Sequence, residues 1–372
     1  MLETEPTLST STFTTTENQE PTTPERLAEI LAAPGFGEFM TDHVAKVEWS
    51  GESPDGGEWR DARIEPYGPL SLDPATSVLH YGQEVFEGLK AYRHQDGSVW
   101  LFRPEANAQR FQKSARRLAL PELPVDLFVD AVRHLVEKDS RWIPEGEGTS
   151  LYLRPFMIAT EKFLGVRPTH EALFEVIASP AANYFGTPEP VDIWWARDYA
   201  RAGEGGTGAA KCGGNYAASL LPQTEAEEKG CKQVIFTDPH RDNAVEELGG
   251  MNVFFVFSDG TLVTPELTGT ILEGITRTSI IQLAEEQGHR VVERKITVDE
   301  WRDGVESGEI AEVFACGTAA VVAPMGRLLW EDGEIPAAKN TNGEVTELLR
   351  TQLTGIQTGR VEDRFGWLTR VV

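Results

Sequence analysis

The sequence is short of cysteine, short of basic side chains relative to acidic ones, and without long apolar runs. Each shortage closes off a class of function. Cysteine occurs only at positions 212, 231 and 316, with no CxxC pair. That odd count argues against a disulfide framework and for free thiols in a reducing compartment. Lys and Arg total 34 against 59 Asp and Glu, a net charge of −25. A field of that sign repels nucleic acid and anionic lipid, so neither is expected as a partner, and an anionic substrate must be met by a local cluster of positive groups. No apolar stretch approaches the ~20 residues of a membrane span, so no membrane partner is expected. Residues 1–23 are rich in Thr, Glu and Pro and lack both a basic start and an apolar core. They are read as a disordered tail, not as a secretory signal or transit peptide, and a cytoplasmic protein is expected.

At 372 residues the chain is too long for one ordinary core, and two domains are expected. A helix is predicted over 25–32, strands over 43–49 and 62–67, and an apolar-rich stretch over 77–92. A short strand follows at 99–102. Pro104 suits the first position of a helix over 104–118, and a second amphipathic helix covers 126–138. Buried strands are predicted at 149–159 and 173–179. The segment 180–190 contains three prolines and a glycine and reads as a linker. Beyond it come strands at 191–196 and 233–237 around a helix at 217–229, a hairpin over 252–264 turning at Ser258-Asp259-Gly260, and a helix over 274–287. Thr297 and Glu300 form a capping box, 312–316 is a strand running into Gly317-Thr318-Ala319-Ala320, and Asn342 caps a last helix reaching Leu353. Strands and helices mix without regular alternation, so the class is α+β. The expected division is a tail (1–23), a small N-terminal domain (24–180), an interdomain loop (181–190) and a large domain (191–372).

Four features carry chemistry. Lys211 sits among glycines and alanines in GGTGAAKCGGNYAASL, where small neighbours let a bulky group approach. It reads either as a solvated surface lysine or as an amine nucleophile. Glu247 precedes a Gly-Gly turn and an apolar strand, and reads either as a hairpin surface residue or as an inward carboxylate pairing with a protonated heterocyclic nitrogen. Gly274-Ile275-Thr276 opens a helix and Gly317-Thr318-Ala319 follows a strand; both offer backbone N–H groups to an anion, and neither matches a Walker loop or a GxGxxG fingerprint. Aromatic and basic residues gather in the first half at His80, Tyr81, Phe86, Arg110, Tyr152 and Arg154, where core packing and a snorkelling Arg110 are the plainer readings.

In order and spacing, the runs FMTDHV, LHYGQEVFEGLKAYR, FRPEANAQRF, SLYLRPFMIATE, GTGAAKCGGNYAASL, EELGGMN, LVTPELTG, GITRTSI, EVFACGTAA and a terminal GW resemble the branched-chain amino-acid aminotransferases, fold-type IV pyridoxal-phosphate enzymes, in wording nearest the actinobacterial members. The resemblance covers about Phe36 to Trp367. It implies a small N-terminal α/β domain and a larger C-terminal domain with an antiparallel-rich β core. It further implies pyridoxal 5′-phosphate as cofactor, held on Lys211 as a Schiff base, with Tyr216 donating to the phenolic oxygen and Glu247 pairing with the ring nitrogen. Arg110, the N–H groups of Ile275 and Thr276, and Thr318 would bind the phosphate. Tyr81 and the Ala319 N–H would meet the substrate carboxylate, with Arg154 in support, and Phe86, Tyr152, Tyr184 and Gly250 would line the side-chain pocket. Leu164 and Val166 would reach the neighbouring subunit's site in a homodimer. The implied reaction is ping-pong transfer of the amino group from L-leucine, L-isoleucine or L-valine to 2-oxoglutarate, so the partners are small amino acids and 2-oxo acids. D-amino-acid and amine transaminases and aminodeoxychorismate lyase share the frame, but LYLRP with HYGQEVFEG sides with the branched-chain type. Ala320 and Ala323 stand where animal members carry a CxxC pair, so no thiol switch is expected there. Met40 and Gly250 replace bulkier residues of some relatives and would widen the pocket.

Overall fold

The computed structural model describes residues 13–182, 189–341 and 343–372, so Tyr184 and Asn342 lie outside the described residues. The chain forms two compact units. The first holds residues up to Ala91 with Pro104–Ala181 and Arg370–Val372; the second holds Tyr92–Arg103 with Ala182–Thr369. The excursion Tyr92–Arg103 has no local signal in the sequence. Its bonds explain it: the Arg103 N–H donates to Trp367 O at 2.7 Å, and the Arg103 guanidinium donates to Thr278 Oγ1 at 3.1 Å and Ser279 Oγ at 2.7 Å, partners far along the sequence.

In chain order the elements begin with β1 (Thr14–Thr15), α1 (Pro24–Ala32), β2 (His43–Gly51), β3 (Gly57–Pro66), α2 (Val78–Tyr81), β4 (Glu84–Phe86) and β5 (Leu89–Arg93). β6 (Val99–Phe102) follows in the second unit, and α3 (Pro104–Arg117), α4 (Val125–Lys138), β7 (Ser150–Ala159) and β8 (Glu171–Ala181) return to the first. The first unit's sheet runs β1-β3-β2-β8-β7, antiparallel except for β1 on β3, and both β4 and β5 pair with β7. In α4, Leu127, Ala131, Val132 and Leu135 are buried on one stripe, as helical period requires. Phe111 of α3, Phe128 of α4 and Phe174 of β8 meet with ring centroids 5.4–5.7 Å apart, which seats the helices on the sheet.

Residues 13–23 depart from the expected tail. Phe13 is buried against His134, Thr14–Thr15 pair with Arg63–Ile64, and the Thr22 N–H donates to Asp42 Oδ1 at 2.8 Å. A Thr-rich composition hides this, because every one of these partners is distant in sequence.

The second unit continues with β9 (Val191–Trp195), α5 (Gly213–Glu228), β10 (Gln233–Asp238), β11 (Ala244–Leu248), β12 (Asn252–Phe257), β13 (Leu262–Thr264), α6 (Ile275–Glu286), β14 (Val291–Glu293), α7 (Val298–Ser307), β15 (Ile310–Gly317), β16 (Val321–Trp330), β17 (Gly333–Ile335) and α8 (Glu344–Gln357). Its sheet runs β11-β10-β9-β16-β15-β12-β13-β14, with β17 on β16. The β10–β11, β12–β13, β12–β15, β15–β16 and β16–β17 pairings are antiparallel, so the expected antiparallel-rich core is present in a mixed sheet. Phe254 and Phe314 stack at 5.1 Å on one face, and Phe255 meets Trp301 of α7 edge-on at 5.1 Å on the other. The Thr297 hydroxyl accepts from the Glu300 N–H at 3.1 Å, the N-cap half of the expected capping box, while the Glu300 carboxylate turns instead to Arg294, accepting from its Nη2 at 2.6 Å. For α8 the capping residue is Gly343. The Glu312 carboxylate, reaching over from β15, accepts from the Thr346 N–H at 2.8 Å and the Val345 N–H at 3.3 Å. All three cysteines are buried and free.

Candidate active site

Lys211 stands just before α5, in a loop that Asn215 of the helix's first turn ties down. The Asn215 amide donates to Thr207 O at 2.8 Å and Ala210 O at 2.9 Å, and its oxygen accepts from the Thr207 hydroxyl at 2.8 Å. So anchored, Lys211 Nζ lies 2.5 Å from the Tyr216 hydroxyl, one helical turn on. Glu247, on β11, is 2% exposed and accepts from the Leu272 N–H at 2.8 Å. The sequence leaves open whether this carboxylate faces outward; it faces inward. Burial pushes its pKa up to about 7, against the opposing pull of Arg201 and, more weakly, of Lys211. Lys211 and Glu247 therefore act on one another electrostatically within the second unit.

Nothing in the sequence singles out Arg201. Its Nη1 lies 2.8 Å from Glu247 Oε1 and also donates to Thr270 O at 3.0 Å, while its Nε is buried with no hydrogen-bond partner. Glu246, next along β11, is buried too and accepts from the Thr270 hydroxyl; desolvation raises its pKa. The two cradle segments lie where the sequence places them. Gly274 caps α6 without a side-chain hydrogen bond, and Thr318-Ala319-Ala320 link β15 to β16, closing on Val321 at φ 63°. A left-handed backbone is strained for a β-branched residue, and strain of this kind concentrates at functional turns. A Cβ added at Gly250 would meet only Tyr216 Cε1, at 3.7 Å, so the glycine leaves open space beside that ring.

In the first unit, Arg110 is buried, which rules out a snorkelling arginine. Its Nε donates to Glu87 Oε1 at 2.7 Å and its Nη2 to Glu87 Oε2 at 2.8 Å. Arg154 Nη2 donates to the Tyr152 hydroxyl at 3.0 Å, and its guanidinium lies 4.9 Å from the Phe86 ring centroid. Tyr81, Leu164 and Val166 are exposed, and the Tyr81 hydroxyl donates to Leu164 O.

Residues 84–328 match the family of class IV amino-transferases. The chain belongs to that family. It is 54% identical over 364 residues to the branched-chain-amino-acid aminotransferase of Mycolicibacterium smegmatis, covering 96% of this chain and 98% of that one. It is 52% identical to the probable branched-chain-amino-acid aminotransferase of Streptomyces coelicolor, covering 97% and 99%. Among solved structures it resembles the T.th. branched-chain amino acid aminotransferase with pyridoxamine 5′-phosphate at TM-score 0.72 and 30% identity, covering 88% of this chain and 99% of that one. The same T.th. protein has been solved with N-(5′-phosphopyridoxyl)-L-glutamate and with 4-methylvaleric acid.

Two residues of this aminotransferase escape a reading of the sequence for different reasons. Asn215 has a visible signal, the CGGNY run directly after the lysine. Arg201 has none, since its partner is 46 positions away along the chain. Arg201→Ala is expected to lower the unfolding free energy by about 3 kcal/mol at pH 8, because a buried charge loses its partner. The loss at pH 6 is smaller. Without the guanidinium, the Glu247 pKa climbs further above its ordinary 4.5, so the folded protein holds a proton that the unfolded chain has released, and stability falls as pH rises through that window. Chemical denaturation at the two pH values checks this; equal losses would rule out the ion pair as their source.

Proposed function

We propose that the chain transfers the amino group of L-leucine, L-isoleucine or L-valine to 2-oxoglutarate, giving the branched 2-oxo acid and L-glutamate by a ping-pong route with pyridoxal 5′-phosphate. The observation that carries this reading is the buried Glu247 carboxylate, backed by Arg201, with Lys211 and Tyr216 in the same electrostatic neighbourhood. A carboxylate that burial makes reluctant to ionise gains most from a second cationic N–H, and a protonated pyridine nitrogen is such a group. The residues therefore fit the cofactor that the T.th. relative binds in its pyridoxamine form.

When bound, the cofactor supplies an electron sink for negative charge at the substrate Cα. Glu247 holds the proton at the ring nitrogen. Lys211 Nζ, as a free amine, would take the Cα proton, with the Tyr216 hydroxyl orienting it. The N–H groups of Ile275 and Thr276, together with Thr318 and Arg110, hold the phosphate. Tyr81 and the Ala319 N–H receive the substrate carboxylate. Phe86 and Tyr152 shape the side-chain pocket, which must take a branched hydrocarbon in one half-reaction and a γ-carboxylate in the other. The Arg154–Tyr152 pair beside Phe86 suits both, a charge lying along apolar rings. Exposed Leu164 and Val166 favour a homodimer in which they reach the partner's site. Among the described residues no helix is long and apolar enough to cross a membrane.

Incubation of the holoenzyme with 2-oxoglutarate and either L-leucine or D-alanine tests the reading. Glutamate is expected to form with L-leucine at a rate at least about a hundredfold above that with D-alanine, since a site built around one arrangement of polar groups leaves them unpaired with the other. Comparable rates, or a preference for D-alanine, would favour the D-amino-acid transaminase instead.

A further inference from the structure

We propose that Asn252 locks the two ends of the cofactor site to one another, so that the carboxylate for the ring nitrogen and the cradle for the phosphate stand at one fixed separation. The inference rests on Glu247 and the Gly274–Thr276 segment serving those two ends. Asn252 opens β12 and is 5% exposed. A primary amide sheltered from water is costly unless its hydrogen bonds are made. Its Nδ2 donates to Leu272 O at 3.0 Å. The Leu272 N–H donates in turn to Glu247 Oε1 at 2.8 Å, so one residue carries both the bond to the carboxylate and the bond to Asn252.

The other amide atom faces the cradle. A Cβ added at Gly274 would overlap Asn252 Oδ1, so the glycine at the head of α6 is packed directly on this side chain. In the β12–β15 ladder Asn252 stands opposite Cys316, one residue before the second cradle segment, Gly317-Thr318-Ala319. The ladder is made by backbone groups and needs no amide at this position. A pyridine ring is rigid and bears its nitrogen and its phosphate far apart, so a misplaced cradle and a misplaced carboxylate cannot both be met by one ligand. Asn252 is a positioning residue, acting through Leu272 and Gly274. Its loss reaches Glu247 as well. Burial sets that carboxyl at about 7; Arg201, the Leu272 N–H and Lys211 pull it down, and Glu246 pushes it up. Of these groups Asn252 bonds to Leu272 alone. A loosened Leu272 takes a donor from the ionised carboxylate, which then forms only at higher pH.

The experiment titrates the apoproteins of the parent, Asn252→Ala and Asn252→Ser with pyridoxamine 5′-phosphate and with pyridoxamine, which lacks the phosphate, between pH 5.5 and 9, followed by fluorescence. The ratio of the two dissociation constants reads the cradle, and the pH inflection reads Glu247. The ligands' own titrations are common to all three proteins and cancel in the comparison. For Asn252→Ala the advantage of the phosphorylated ligand is expected to fall about tenfold and the inflection to move up by about half a pH unit, on the scale of one lost buried hydrogen bond. Asn252→Ser falls between, and it carries the same comparison if the alanine variant fails to fold. A general loosening weakens both ligands alike and leaves the inflection in place, which overturns the inference. A change in only one of the two readouts overturns it too, because the lock requires both. A parent that binds the two ligands equally, or has no inflection that Glu247→Gln removes, overturns the reading of the cofactor site itself and the inference with it.

Discussion

Lys211→Ala abolishes the visible absorbance of a lysine-linked cofactor in the purified protein and lowers turnover by about four orders of magnitude, the upper range for loss of a positioned proton carrier. No other lysine is expected to substitute. Position 211 owes its geometry to a specific local frame, the Asn215 amide tying down Thr207 and Ala210, with the Tyr216 hydroxyl 2.5 Å from Nζ. Alanine removes the amine but leaves that frame intact, so the variant should stay folded. Added methylamine should then recover part of the proton transfer, because the space vacated by the side chain remains lined by the same groups. Single-turnover mixing with L-leucine is the measurement. A variant that still transaminates at a rate near the parent's would mean that another amine does the work.

Glu247→Gln is expected to lower turnover by about 10²–10³-fold, the usual loss when one charge-matched group in a dry site is neutralised. Glutamine retains the shape and can still accept from the Leu272 N–H, but it leaves the buried Arg201 guanidinium without its counter-charge, so the variant is also less stable and is assayed at a temperature where it stays folded. The substitution also changes a pH profile. In the ligand-free protein the Glu247 carboxyl titrates at about 7, so it is ionised above that pH and neutral below it. Affinity of the apoprotein for pyridoxal 5′-phosphate should therefore weaken as pH falls through 7, and the Glu247→Gln protein should lose that inflection. Titration of the apoprotein between pH 5.5 and 8.5, followed by fluorescence, reads it out, and an unchanged inflection would assign it to another group.

How far the sequence carries such predictions depends on where each residue's partners lie. The strand Val99–Phe102 is legible with its observed ends because Gly97 and Pro104 bracket it, and Pro104 is a local signal for the start of α3. The stretch 77–92 reads only as apolar, and it resolves into α2, β4 and β5, pieces too short for either period to show. The start of α5 lies four residues before the predicted Ala217, because Gly213 and Gly214 read as breakers; at a first turn their low propensity costs little. Around the site, Lys211 and Glu247 stand in runs whose wording marks them. What their neighbours do is hidden. Arg201 looks like any solvated arginine until the fold buries it against Glu247, and Glu312 looks like a strand residue until it is found beneath the start of α8. Long-range electrostatics and capping from another element leave no periodic trace.

The buried thiols have a practical consequence. Desolvation holds Cys316 up at about 12 and Cys231 at about 11, so almost no thiolate exists at neutral pH to attack an alkylating probe. A maleimide dye added to the native enzyme therefore stays dark at these two positions and brightens only as the second unit comes apart. The wild-type chain carries its own clock for measuring how often it opens, with no engineered label.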